Sequence, residues 1–256
     1  MGIISSIKIV NEIALNTFKE SLKSRFFALF AIFAFIMLYA SALGSMLSIS
    51  HEERVLADIS LLLIEIMCLV YALFHVSSAL TREIQEKTIY LILSRPVPRH
   101  ICLAGKELGV MLTTAFIALI TSIMAICVIK TRGLDVPSFF FAAAAGAFLK
   151  TAIITAFAFL FSFVSTSDTT AFVMSGLLYV LGHITSELGP LMEKASGAKY
   201  LLLKACSIIF PNLNLYSLRE TAEAGFPLSI GALAAALIWI AAAYAISAWL
   251  FSKKEF

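Results

Sequence analysis

The chain has 256 residues, of which 61% are hydrophobic and only 14% charged, with a formal net charge of +3 at pH 7. A soluble domain is about half apolar and about a quarter charged, so this composition, with a mean hydropathy of +0.96, excludes an ordinary water-soluble fold and makes the bilayer the solvent. The small net charge gives no reason to expect nucleic acid as a partner.

The opening stretch, Gly2 to Arg25, carries polar residues throughout and has no apolar h-region, so it does not read as a signal peptide. Ile3, Ile7, Val10, Ala14, Phe18 and Leu22 recur at helical spacing, while Lys8, Asn11, Glu12, Lys19, Glu20 and Lys23 fill the other side. That pattern predicts an amphipathic interface helix over residues 1–25, lying at the membrane surface.

Six runs then approach the ~20 residues needed to cross a bilayer: Phe26–Leu47, Val55–Leu80, Leu108–Ile129, Ser138–Val164, Thr170–Leu188 and Leu228–Phe251. A shorter apolar stretch, Tyr200 to Phe210, stops at Pro211 and suits a re-entrant or interfacial outer helix. The fold class is therefore an all-α polytopic membrane protein in one domain, 1–256. Its parts are the interface helix (1–25), spans 1 and 2 (26–80), a loop (81–104), spans 3 to 5 (105–189), an outer segment (190–227) and span 6 (228–251).

Lys and Arg near span ends set orientation. With the N-terminus inside, eleven lie on one side (Lys8, Lys19, Lys23, Arg25, Arg82, Lys87, Arg95, Arg99, Lys106, Lys253, Lys254) and seven on the other (Arg54, Lys130, Arg132, Lys194, Lys199, Lys204, Arg219). Both termini are expected in the cytoplasm.

Cys68, Cys102, Cys127 and Cys206 sit in apolar surroundings without CxxC spacing, as small hydrophobes do. His51, His75, His100 and His183 fall at different depths or in loops, and neither HExxH nor GxSxG occurs. An intramembrane enzyme needs clustered groups at a shared depth; that reading, and a passive channel or structural membrane protein, stand as alternatives.

Two charges fall inside spans. Glu65 lies ~15 Å and Lys150 ~20 Å from the same outer side, at ~1.5 Å per residue. Each alone costs roughly 3 kcal/mol or more at the bilayer centre, so they form a candidate intramembrane polar pair, serving either a translocation path or structure. Asp168, in "STSDTT", is expected to cap the fifth span.

The stretch with the most chemistry is "TREIQEKTIYLILSRPVPRH", Thr81 to His100. Arg82, Glu83, Glu86 and Lys87 cluster on a predicted helix that Thr81 is placed to cap, with Ile84, Ile89, Leu91 and Ile92 as its apolar side. The prolines in "SRPVPR" end that helix. A stiff charged knob beneath the membrane is suited to touching something soluble. No P-loop accompanies it: the only Gly-Lys, Gly105-Lys106, is followed by Glu107, with His100 at the first-glycine position.

The run "REIQEKTIYLILSRPVPRHICLAGKELG" resembles the cytoplasmic loop of ABC type-2 exporter permeases. The matching residues are Arg82, Glu83, Thr88, Leu93, Ser94, Arg95, Pro96, Val97, Arg99, Gly105 and Lys106. Lys87 stands where a Gly often precedes the Thr, and Ala104 where a Leu often precedes Gly-Lys. The subgroup it most resembles is the permease of the nitrous-oxide-reductase maturation system. The resemblance implies a transport subunit without its own nucleotide site in a bacterial inner membrane. It also implies ATP and Mg on a separate ABC ATPase (two copies) and a second permease copy, as homodimer or related heterodimer. The residues expected to couple to that ATPase are Arg82, Glu83, Glu86, Lys87, Thr88, Arg95, Pro96 and Arg99, with Ile84 or Ile89 as an apolar anchor. No cofactor, metal or catalytic residue is expected in this chain.

Overall fold

The computed structural model describes residues 3–45, 52–85, 98–165, 167–217 and 229–253. Among these residues the regular structure is helical throughout. The helices, in chain order, are α1 (Ile3–Lys23), α2 (Arg25–Ser45), α3 (Glu52–Gln85), α4 (Arg99–Thr131), α5 (Phe140–Val164), α6 (Asp168–Ile184), α7 (Leu188–Lys194), α8 (Ala198–Ile209) and α9 (Ile230–Lys253). Two 3₁₀ turns, Thr185–Glu187 and Leu213–Tyr216, join the outer pieces.

Five segments are long and apolar enough to cross a membrane: Glu52–Ser77, Arg99–Thr131, Phe140–Val164, Asp168–Lys194 and Ile230–Lys253. Within α2, the stretch that stands out by the same measure is the shorter Phe30–Ala40. The count among the described residues is thus five, against the six runs of the sequence.

α3 and α5 form the centre of the bundle. α3 packs on α2, α4, α5 and α6; α5 packs on α3, α4, α6 and α9. Their contact faces are small or apolar: Ala147, Thr151, Ile154, Ala158 and Ser162 recur along α5 and are all buried. Hydroxyls here bond back into their own helix, Thr151 to Ala147 O at 2.9 Å, Thr155 to Thr151 O at 2.7 Å and Ser162 to Ala158 O at 2.9 Å. Away from water these bonds satisfy the donors, and small side chains let helices approach closely.

α1 does more than lie on a surface. It packs along the start of α4, where Gly105 and Gly109 stand one turn apart. A Cβ on Gly105 would meet Ile13 Cβ at 2.6 Å and Val10 O at 3.1 Å; on Gly109 it would meet Thr17 Cβ at 2.6 Å and Ala14 O at 2.9 Å. The contact face therefore takes in Val10, Ile13, Ala14 and Thr17; Val10 and Ala14 belong to the stripe read in the sequence, and Phe18 of that stripe stands edge-on to Phe116 of α4 at 5.6 Å, while its Ile7 is 63% exposed. Backbone proximity selects small residues here, which a hydrophobic count cannot register.

Other local expectations change as well. α3 runs unbroken through Thr81 to Gln85, so Thr81 lies inside that helix and not at the start of one. α4 starts at Arg99, with Pro98 as its N-cap residue at φ −58° and ψ 139°; helix therefore occupies both ends of the 81–104 segment. At the other end, Gly133 takes φ 73°, Gly133 N–H donates to Lys130 O at 3.0 Å, and Leu134 N–H donates to Ile129 O at 3.2 Å, the paired bonds of a Schellman ending. The cap of α6 is Ser167, whose Oγ accepts from Thr170 N–H at 3.2 Å. Asp168 is the first helical residue instead, where a carboxylate favours the positive end of the helix.

The glycine contacts generate a paired prediction. Gly105→Ala forces α1 off α4 and should destabilise the fold by about 1–3 kcal/mol, the usual cost of overpacking. Gly176→Ala on α6, with nothing within 4 Å of the added methyl, should be neutral or stabilising by up to about 1 kcal/mol. Thermal unfolding of both variants in one detergent checks the sign of each.

Candidate functional site

Three helices bring charge together in the interior. Glu65 projects from α3, Lys150 from α5, and Tyr179 and His183 from one face of α6, four residues apart. Lys150 Nζ donates to Glu65 Oε1 at 2.8 Å, and the two side chains are only 4% and 11% exposed. Tyr179 OH donates to the same oxygen at 2.6 Å. His183 Nε2 stands 3.6 Å from Glu65 Oε1 and 3.4 Å from Lys150 Nζ. The Nδ1–H tautomer of His183 donates to Tyr179 O at 3.0 Å and leaves Nε2 to accept from Lys150. Glu65 Oε2 takes part in none of these bonds.

The cluster forms the inner wall of a cavity of about 510 Å³, whose lining also includes Arg54, Asp58, Leu62, Ile66, Asn214 and Ser217. Arg54, Asp58, Leu62 and Ile66 follow one another at four-residue spacing on α3, so one helix face supplies a charged mouth and then an apolar edge. The roof is the turn Leu213–Tyr216. It settles onto α6 because residue 182 is glycine: a Cβ there would meet Leu213 Cδ1 at 2.7 Å and Pro211 O at 3.0 Å. Asn214 Nδ2 donates to His183 O at 3.1 Å and to Ser186 Oγ at 2.5 Å. Tyr216, fully buried, donates to Ala232 O at 3.0 Å and fastens the turn to α9.

This arrangement can hold a polar group in an apolar bundle, because each charge has an opposite charge in contact and further donors around it. A second polar contact joins α1 to α3: Ser21 Oγ lies 3.1 Å from His75 Nε2, and the His75 ring stacks on Tyr71 at 5.6 Å.

Of the residues singled out in the sequence, Glu65 and Lys150 meet. His183, Tyr179 and Asn214 were not anticipated; the Tyr-x-x-x-His spacing within a span was the available signal for the first two. Arg82 and Glu83 belong to the helical end of α3, with side chains outside the described ones, and Glu86, Lys87, Thr88, Arg95 and Pro96 lie outside the described residues. Arg99 opens α4 and reaches the end of α9: its Nη1 donates to Phe251 O at 3.2 Å, and its guanidinium lies 5.9 Å from the Phe251 ring centre.

Removing one partner of a buried ion pair costs about 3–5 kcal/mol, so Glu65→Lys or Lys150→Glu alone should sharply reduce folded yield in membranes. Exchanging both should recover part of that loss, and a double variant worse than the sum of the singles would exclude pairing. Tyr179→Phe removes a bond to a charged acceptor and should cost about 1.5–3 kcal/mol by thermal unfolding.

The sequence profile described as ABC-2 family transporter protein matches residues 12–256, nearly the whole chain. No individual curated protein matches it significantly. The match takes in the central helices, the charged cluster and the outer turn alike, and with several helices apolar enough to span a bilayer, the chain belongs to the ABC-2 transporter family, as a multi-pass membrane permease of an ABC transporter.

Proposed function

We propose that this chain is the membrane-spanning subunit of an ATP-driven exporter whose ATPase is a separate polypeptide. The observation that carries the reading is the family match over residues 12–256 on an all-helical bundle. In this reading α2 is the first of six spans: its 21 residues reach about 30 Å at 1.5 Å per residue, the thickness of the hydrocarbon core. Both termini are cytoplasmic, the membrane is the bacterial inner membrane, and two permease copies work with two ATPase subunits that hold ATP and Mg. The resemblance to nitrous-oxide-reductase maturation permeases rests on the 82–106 loop alone.

The segment 81–104 joins α3 to α4 and is the coupling element. Arg82, Glu83 and Glu86 dock on the ATPase with Ile84 or Ile89 as anchor, while Lys87, Thr88, Arg95, Pro96 and Arg99 shape the exit. Closure of the ATPase pair moves α4, and α1 moves with it because Ile13 and Thr17 seat directly over Gly105 and Gly109. The Glu65–Lys150 cluster is the polar element of the path that this motion exposes.

Reversing Glu83 and Glu86 to Lys should release the ATPase or uncouple its turnover, since losing an interfacial charge pair costs ~2–5 kcal/mol. Pull-down with ATPase assay in lipid measures both; normal retention with normal stimulated turnover would rule this segment out as the coupler. In a cysteine-free background, Gly197→Cys should be labelled from outside intact cells and Ser94→Cys should not. Outside labelling at position 94 contradicts the topology.

A further inference from the structure

The cavity beside the charged cluster has a composition that selects a ligand class. Its charged lining residues are Arg54 and Lys150 against Asp58 and Glu65, so with His183 in the neutral tautomer that bonds to Tyr179 the formal charges cancel. Lys150 contacts Glu65 at 2.8 Å, and Arg54 and Asp58 lie one turn apart on α3. A ligand ion would leave one uncompensated charge in a setting that screens poorly. A purely hydrocarbon ligand fails for the opposite reason. It would strip water from Glu65 Oε2 and from the Ser217 and Asn214 side chains, and would give them no hydrogen bond in return.

What fits is neutral and rich in donors and acceptors. The floor and roof present both kinds: the carboxylate oxygen of Glu65 accepts, and Ser217 Oγ, whose bond to Asn214 Oδ1 is long at 3.4 Å, can donate or accept. The edge presents something else. Leu62 and Ile66 line the cavity and are 45% and 41% exposed. On a membrane-spanning helix such an edge is open to an alkyl chain. A volume of about 510 Å³ falls in the usual range of small-molecule sites, ~300–1,000 Å³.

From this we propose that the cavity binds the uncharged, hydroxyl-rich headgroup of an amphiphile whose alkyl chain lies along Leu62 and Ile66. The headgroup hydroxyls donate to Glu65 Oε2 and Asn214 Oδ1 and exchange bonds with Ser217, leaving the Glu65–Lys150 pair intact. This rests on the reading of the cluster as part of a transport path, and names the kind of molecule that path accepts.

The test uses the purified full chain, without any ATPase, in nanodiscs of net-neutral lipid. Three photoactivatable probes share one alkyl chain and tag and differ only in headgroup: a glucoside, an ammonium and a sulfate. Crosslinked peptides are mapped by mass spectrometry. The glucoside should label the segments Asp58–Ile66 and Tyr179–His183 at least roughly tenfold more than either charged probe, since a site built for hydroxyls discriminates against ligands lacking them. Unlabelled glucoside should compete and unlabelled ammonium should not. Leu62→Trp, which fills the apolar edge, should abolish labelling there. Equal or stronger labelling by a charged probe, or labelling unchanged by Leu62→Trp, would overturn the proposal. Competition on the unaltered chain decides the matter even where the variant fails to fold. Failure of the unaltered chain to retain any ATPase in the pull-down would instead strike at the transporter reading and leave this result standing.

Discussion

Taking Glu65 and Lys150 out of water costs several kcal/mol per ion, and their 2.8 Å contact is what offsets it. The contact is possible only when α3 and α5 have one rotation and one axial register, because a displacement by a single residue swings a side chain by about 100°. α6 is drawn into the same constraint through Tyr179, whose hydroxyl reaches the same Glu65 oxygen at 2.6 Å. The outer turn follows in its place, since Asn214 binds the carbonyl of His183. Apolar packing among these helices tolerates small slips; the charged cluster does not. It fixes which of many similar helix packings the chain adopts.

Around that cluster the bundle relies on short side chains. Buried Ala, Thr and Ser along α5 and the glycines of α4 and α6 bring backbones close, where dispersion acts over many atoms. In lipid no hydrophobic gradient drives helices together, so closeness of fit carries more of the association than in water. The hydroxyls remain affordable because each bonds to a carbonyl one turn earlier in its own helix.

Helical class, the bilayer as solvent and the approximate course of most spans were legible because they depend on composition and run length. That Glu65 and Lys150 needed company was legible from the cost of an isolated charge. Its other members were not: Tyr179 and His183 are ordinary in a span until the register of α6 against α3 is known, and Asn214 arrives from a turn distant in sequence. The α1 stripe was legible in part: Val10, Ala14 and Phe18 of it turn inward, but the close approach at Ile13 and Thr17 was not. A hydrophobic stripe predicts what avoids water, whereas the closeness of α1 to α4 is set by two residues without side chains, Gly105 and Gly109, beneath Ile13 and Thr17. Capping went astray by a single position, Ser167 for Asp168, because both residue types cap well and only the backbone at 167, with φ −138° and ψ 149°, distinguishes them.

The glycine contacts of α4 also restrict the kind of motion the molecule permits. With Ile13 seated over Gly105 and Thr17 over Gly109, α1 cannot creep along α4, since any small shift drives a side chain into helix backbone. The next matching position lies a full turn away, about 5.4 Å, with no glycine waiting for one of the two side chains. Sliding is therefore gated like a key in a lock with one pair of wards. A load along the axis of either helix is thus carried by both.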